Sequence, residues 1–362
     1  MADSPFEFRS SFNEKWSPET RQLVRILAND SRISVSDLAK KLQVSRKTAK
    51  DRLKKAEAEL GMKYTIELDE EKLGLSNPHL ILIKFSKKPD YGHVASVLQQ
   101  SPIPQLAVTI KGNYDMFIYA NASSTKEYVY WDKTTQVQLA KYGVLWYPSD
   151  LAYRHIGFFP LKNALIESLE IPKKYKDLLI LLNENSRISF SEISKRLGMH
   201  FNTVAYNFKK LVKMGYVRRF TAVLSPMKGV SLMSLFGKYV ISEGFEDDSM
   251  AMRKEVTFID DKMPIVSRCL LSSQLVGSFD FFFVGAYDDD EMGYRRLIQY
   301  YKRRYRRHRV KAFYGSISSM LFGNFPIRNL DTKSEFRMVR WDPSLGSVET
   351  KGAFAKHETS HT

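Results

Sequence analysis

"LVRILANDSRISVSDLAKKLQVSRKTAKDRLKKAE", Leu23 to Glu57, is written a second time as "LLILLNENSRISFSEISKRLGMHFNTVAYNFKKLV", Leu178 to Val212. "SRIS" is identical in both, so that Arg32 aligns with Arg187. In the first copy Leu23, Ile26 and Leu27 fall at i, i+3 and i+4, the apolar stripe of a helix. Asp30-Ser31-Arg32 interrupts that stripe. Ser34 is placed to cap a second helix, which turns Leu38, Ala39 and Leu42 inward. Ser45 is placed to cap a third, with Ala49, Leu53 and Ala56 inward. The second copy repeats the pattern with Ile193, Leu197, Val204, Phe208 and Leu211. Its turn carries Gly198, which takes a left-handed backbone easily, where the first copy has Gln43. Behind each third helix, "LGMKYTIEL" (from Leu60) and "MGYVRRFTAVLSP" (from Met214) put glycine ahead of alternating strand residues, as a wing hairpin does. The pattern predicts a winged helix-turn-helix twice.

A second echo follows in the same order. "KGNYDMFIYANAS" around Gly112 matches "VGSFDFFFVGAYD" around Gly277, each with Gly-x-aromatic-Asp running into an apolar strand. Around it, strand and helix patterns alternate. The first copy offers "HLILIKFS", "YGHVASVLQQ", "QLAVTIKG", "DMFIYANAS", "KEYVYWDKTTQVQLAKY" and "VLWYPSDLAYRHIGFF". The second offers "LFGKYVIS", "SMAMRKEVTFIDD", "IVSRCLLSSQLVG", "DFFFVGAYD", "EMGYRRLIQYYKRRYRRH" and "VKAFYGSISSMLF". This βαββαβ order predicts a ferredoxin-like sandwich, so the fold class is α+β: two winged helix-turn-helix domains alternating with two ferredoxin-like α/β sandwich domains. The expected boundaries are a flexible N-terminus over 1–15, helix-turn-helix units over 16–75 and 172–230, sandwiches over 78–163 and 231–330, and a flexible polar tail over 331–362.

Composition narrows the function. The 362 residues carry 56 Lys and Arg against 40 Asp and Glu, a net +16, while 43% hydrophobic and 13% aromatic content suffices for real cores. An anionic partner is expected, nucleic acid first. A single cysteine, Cys269, excludes an intrachain disulfide framework and a cysteine-cluster metal site. The seven histidines are scattered, and no phosphate loop, nucleophile elbow or paired-carboxylate motif is present, so neither cofactor nor enzyme activity is expected. The longest apolar runs are strand-length, and the N-terminus lacks a signal-peptide layout, which predicts a cytoplasmic, nucleoid-associated protein with no membrane partner.

"NENSRISFSEISKRLGM", "MGYVRRFTAVLSP" and the two Gly-x-aromatic-Asp loops together resemble the Lrp/AsnC (feast/famine) family of transcription regulators, from about residue 18 to 328. That resemblance implies sandwiches of RAM type, duplex DNA as partner, and homo-oligomers assembled through the sandwich sheets. It further implies a small-molecule effector, such as an amino acid, near the Gly-x-aromatic-Asp loops. Gly112, Asp115, Gly277 and Asp280 are therefore candidates, against the reading that Asp merely caps a tight turn there. Family members carry one module per chain. A tandem chain can satisfy sandwich pairing internally or between chains.

A recognition helix needs polar or basic side chains at its start for base edges and cations further along for phosphates. In the first copy Arg46, Lys47 and Lys50 suit the groove, with Ser45 and Thr48 at the phosphate margin. Lys54 lies further along, and by the family pattern Arg52 sits at the backbone. In the second copy the candidates are His200, Asn202, Thr203, Tyr206, Asn207 and Lys210. Asn207 stands where the first copy has Arg52, and Asn202 is either an adenine reader or simply exposed. Lys209, Arg218 and Arg219 are further phosphate candidates. The stretch "YYKRRYRRHR" (Tyr300 to Arg309) falls on the last sandwich helix, where Arg303, Arg306 and Arg307 are either an auxiliary phosphate surface or simply its solvated face. Two other readings are a siroheme-decarboxylase-like enzyme on the same architecture and a non-specific nucleic-acid or chromatin-organising protein.

Overall fold

The computed structural model describes residues 17–75, 77–223, 230–240, 269–288, 299, 310–323, 338–342 and 347–351. The expected N-terminal segment 1–15 and both helices of the second sandwich, with Arg303, Arg306 and Arg307, lie outside the described residues.

Helices α1 (Pro18–Asn29), α2 (Val35–Leu42) and α3 (Arg46–Leu60) open the chain, followed by strand β1 (Lys63–Leu68). The caps read from the sequence are in place: Ser34 Oγ accepts from the Asp37 amide at 3.0 Å and Ser45 Oγ from the Thr48 amide at 3.1 Å. Leu23, Leu27, Leu38, Leu42, Ala49 and Leu53 are buried together as the stripes require. Gln43 ends α2 at φ 54°, the one positive φ at a non-glycine among the described residues.

Next come β2 (His79–Phe85), α4 (Tyr91–Gln99), β3 (Pro104–Gly112), β4 (Met116–Ala120), α5 (Thr125–Leu139) and β5 (Val144–Ile156). A short α6 (Asn163–Ser168) leads into α7 (Lys173–Glu184), α8 (Phe190–Leu197), α9 (Phe201–Lys213) and β6 (Val217–Val223). The chain then supplies β7 (Val230–Tyr239), β8 (Cys269–Gly277), β9 (Phe281–Asp288) and β10 (Val310–Phe322). Two last strands, β11 (Met338–Asp342) and β12 (Ser347–Lys351), pair antiparallel. They fall inside the segment 331–362, expected to be a flexible polar tail.

Among the described residues, no wing hairpin is seen within either copy. β1 and β6 pair instead with each other as a two-stranded antiparallel ribbon, with Thr65 opposite Thr221. After Leu68 the chain enters a turn in which the Leu73 amide reaches the Asp69 carbonyl, rather than a return strand. The alternating face of β1 therefore finds its partner in the other copy.

The eight sandwich strands close into one barrel in the order β10-β3-β4-β2-β5-β8-β9-β7. Four consecutive members, β3-β4-β2-β5, come from the first module and the other four from the second. The seams β3–β10 and β5–β8 join the two sets of four strands, so the sheets of the two copies pair within the chain. Alternation along β2 separates two layers: Leu80 and Leu82 join the barrel-side core, while Ile81 and Ile83 pack with Val94, Leu98 and Trp131 under α4 and α5. Burying one such side chain contributes about 1.5–3 kcal/mol. Among the described residues, no helix is long and apolar enough to cross a membrane.

Candidate nucleic-acid interface

The two helix-turn-helix units meet through the repeated "SRIS" stretch. Ser31 Oγ and Ser186 Oγ lie 2.6 Å apart across a separation of 155 residues. Arg32 donates to the Ser186 and Ile188 carbonyls, and Arg187 returns the bonds to the Ser31 and Ile33 carbonyls. The Ser31 amide donates to the Phe220 carbonyl at 3.0 Å, and the Ser186 amide to the Tyr64 carbonyl at 3.2 Å. The Thr65 hydroxyl bonds the Asn183 carbonyl, as the Thr221 hydroxyl bonds that of Ala28. Each of these bonds has its mirror, so the pair is related by a local pseudo-twofold through the Thr65–Thr221 pair. Burial, and then the neighbouring Arg187 cation, lower the Arg32 guanidinium from its ordinary value. Carbonyl oxygens and the faces of Phe190, Phe208 and Phe220, 5.0–5.7 Å away, compensate. The sequence flagged these arginines only as a repeat marker. Their role needed the two copies to be seen face to face.

The recognition helices differ on this common frame. On α3, Arg46, Lys47, Lys50 and Lys54 are exposed, opposite the buried Ala49 and Leu53. None of the four forms an ion pair among the described residues. Ser45 and Thr48 share a hydroxyl contact of 2.8 Å at the helix start, and Arg52 is half-buried. On α9, His200 caps the helix through Nδ1, and Asn202, Thr203, Tyr206 and Lys210 are exposed. Asn207 is corrected: it is only 4% exposed and lies on the inward face with Val204 and Leu211, out of reach of DNA. Its spacing from Val204 and Leu211 already placed it on the apolar stripe. Phe201 and Tyr206 stand out at 46% and 63% exposed. Arg218 and Arg219 are taken up by acids of the first copy, at 3.0 Å from Asp69 and from Glu67.

The Gly-x-aromatic-Asp loops lie at the barrel seams. A Cβ on Gly112 would stand 2.1 Å from the Tyr314 carbonyl oxygen, which explains the glycine. The Asn113 amide donates to that oxygen, and in mirror fashion the Ser278 amide donates to the Pro148 carbonyl. Tyr114 and Phe279, the aromatic members of the two loops, face each other with ring centres 6.0 Å apart. Asp115 Oδ2 accepts from the Phe85 amide at 2.8 Å, and the Asp280 amide donates to the Gly237 carbonyl. Both loops thus have a structural use. A separate cavity of about 340 Å³ lies between α4, α5 and α6, lined by Val97, Ile103, Trp131 and Leu165 among others, and includes none of the sequence-predicted residues.

The AsnC-type helix-turn-helix domain family matches residues 21–57, and the winged helix-turn-helix DNA-binding family matches residues 175–218. An HTH-type transcriptional regulator of Pyrococcus horikoshii is 30% identical over 112 residues, covering 30% of this chain and 73% of that protein. The transcriptional regulator FL11 of the same organism is 29% identical over 108 residues, covering 30% of this chain and 71% of its own. Four further regulators from Pyrococcus species are 37–42% identical, but the chain spans only 36–47% of their length. Among solved structures, the siroheme decarboxylase NirDL superimposes with a TM-score of 0.54 over 88% of this chain and 96% of its own at 13% identity. That likeness is one of fold, extending through both modules.

Proposed function

Since the chain belongs to the Lrp/AsnC family of helix-turn-helix transcription regulators, we propose that it binds duplex DNA through α3 and regulates transcription as an intramolecular pseudo-dimer. The observation that carries this reading is the exposed cationic face of α3, where Arg46, Lys47, Lys50 and Lys54 have no acidic partner among the described residues. Arg and Lys at the start of such a helix reach base edges, and those further along take phosphates. The working units are 16–75 and 172–230 for DNA. Residues 78–163 and 231–330 serve as ferredoxin-like, RAM-type halves for assembly, and 1–15 and 331–362 as flanking segments. Assembly beyond one chain would use faces outside the seams, such as Tyr130 and Val137 on α5, each 75% exposed. An amino-acid effector at the loops of Gly112–Asp115 and Gly277–Asp280 would have to part Tyr114 from Phe279 and take Asp115 from the Phe85 amide.

Fluorescence anisotropy on labelled duplexes tests the reading. The wild-type chain binds with strong salt dependence. The Arg46→Ala/Lys50→Ala variant binds more weakly and with a shallower slope of log K against log salt, by about 0.9 for each phosphate no longer neutralised. Binding that ignores both salt and these substitutions would overturn the proposal. A second reading, an enzyme acting on siroheme, draws on the full-length likeness of fold to NirDL. A visible absorption band on adding siroheme, with no salt-sensitive duplex binding, would favour it.

A further inference from the structure

The local pseudo-twofold brings together two recognition helices that are not chemically equivalent. In the register of the repeat, Arg46 corresponds to Phe201, Lys47 to Asn202, Lys50 to Ala205 and Asp51 to Tyr206. Of these eight side chains, all but Ala205 are exposed. The helices turn inward at corresponding positions, Ala49 and Leu53 on α3 and Val204 and Phe208 on α9, and the units are held to each other by the reciprocal Ser31, Arg32, Ser186 and Arg187 bonds and the β1–β6 ribbon. In homodimeric helix-turn-helix proteins this kind of pairing sets two recognition helices over half-sites one helical turn, or a multiple of it, apart. The symmetry of the protein is then mirrored in the DNA. Here the frame is symmetric and the reading faces are not.

We propose that a single chain reads a non-palindromic duplex, with a guanine-bearing half-site under α3 and an A·T half-site under α9. The inference rests on the regulator reading given above and adds the partner's sequence class. Arg and Lys side chains suit the O6 and N7 acceptors of guanine in the major groove. Asn202 suits the adenine N6/N7 edge, while the Thr203 methyl and the Phe201 ring suit the C5-methyl of thymine. An inverted repeat shows both helices the same edges, so it leaves one of them with the wrong chemistry. A good bidentate pair is worth a factor of roughly 10 or more in discrimination. Because α9 offers fewer cations at its start, the α3 half dominates affinity and salt dependence, and the α9 half contributes orientation.

The test is selection of bound duplexes by the full chain from a random-sequence pool at near-physiological salt, followed by affinity measurements on the enriched sites. The expected motif has two unlike halves about 10 base pairs, or a multiple of that, apart, bound by one chain per duplex. Asn202→Ala should relax preference roughly 10-fold in the A·T half and leave the other half unchanged. Arg46→Phe/Lys47→Asn, at exposed positions, should shift the motif towards an A·T inverted repeat. An enriched inverted repeat for the wild-type chain would overturn the inference, as would a single half-site indifferent to Asn202→Ala, or salt-sensitive binding with no enriched motif at all. Absence of duplex binding altogether would instead strike the regulator reading, so the two failures are distinguishable.

Discussion

Lys162 sits under two opposed demands. Its Nζ lies 4.1 Å from the Phe322 ring centre, and burial pulls its ammonium from 10.5 down to about 8. Between those values the unfolded chain holds a proton that the folded protein has released, so stability rises with pH across that window. Below about pH 8 both states are protonated and the desolvation cost is carried in full. Lys162→Met should therefore raise the urea midpoint at about pH 7, with the gap to wild type narrowing by about pH 10. A gap that stays constant over that range would contradict the assignment. At this scale the sequence was legible wherever a side chain acts on its own helix. Ser34 and Ser45 cap as their spacing says, and the basic residues at the start of α3 are exposed. Asn207 was misjudged because alignment with Arg52 outweighed its helical phase. Lys162 was not legible at all, since its environment comes from a strand 160 residues later in the chain.

Among elements, the reciprocal grip of the two "SRIS" turns and the β1–β6 ribbon decides how the copies associate. Arg32→Ala and Arg187→Ala each remove a charged donor from two carbonyls, at a cost of about 1.5–3 kcal/mol. Arg32 also faces three aromatic rings where Arg187 faces only Tyr64, at 5.3 Å, among the described residues. Arg32→Ala should therefore be the more destabilising in urea unfolding. Removing either guanidinium already relieves the pair of its mutual repulsion, so each single variant carries that relief and the double variant should cost more than the two singles combined. Equal single effects that add in full would refute this account. The strands of the ribbon were legible, but their partner was not. A wing hairpin and a ribbon between copies share one alternating pattern, and only the turn after Leu68 chooses between them.

For the molecule as a whole, closure of the barrel leaves none of its eight strands with a free edge. Gly112 is the position at which the β3–β10 seam is tightest. Gly112→Ala would drive a methyl group against the Tyr314 carbonyl and Gly315 Cα, so the seam must open or the strands shift. An overpacking cost of about 1–3 kcal/mol is expected, and with it concentration-dependent association through the exposed β3 and β10 edges. Light scattering coupled to size exclusion would detect that association, and a variant that is both fully stable and monomeric would rule it out. The duplication itself was plain from the quoted stretches. Closure of the copies onto each other was left open by the sequence, because edge pairing is decided by residues far apart in the chain.

The Thr65–Thr221 pair has a further consequence, in the realm of dosage. Two copies joined by peptide bonds cannot part on dilution, so forming the paired unit is a first-order event whatever the number of molecules present. Occupancy of any target that needs both copies should climb in simple proportion at low abundance, without the lag of a subunit waiting for its mate. Inheritance is joined as well. One copy can drift in sequence while the other retains its chemistry, because the pairing within the chain joins two unlike copies.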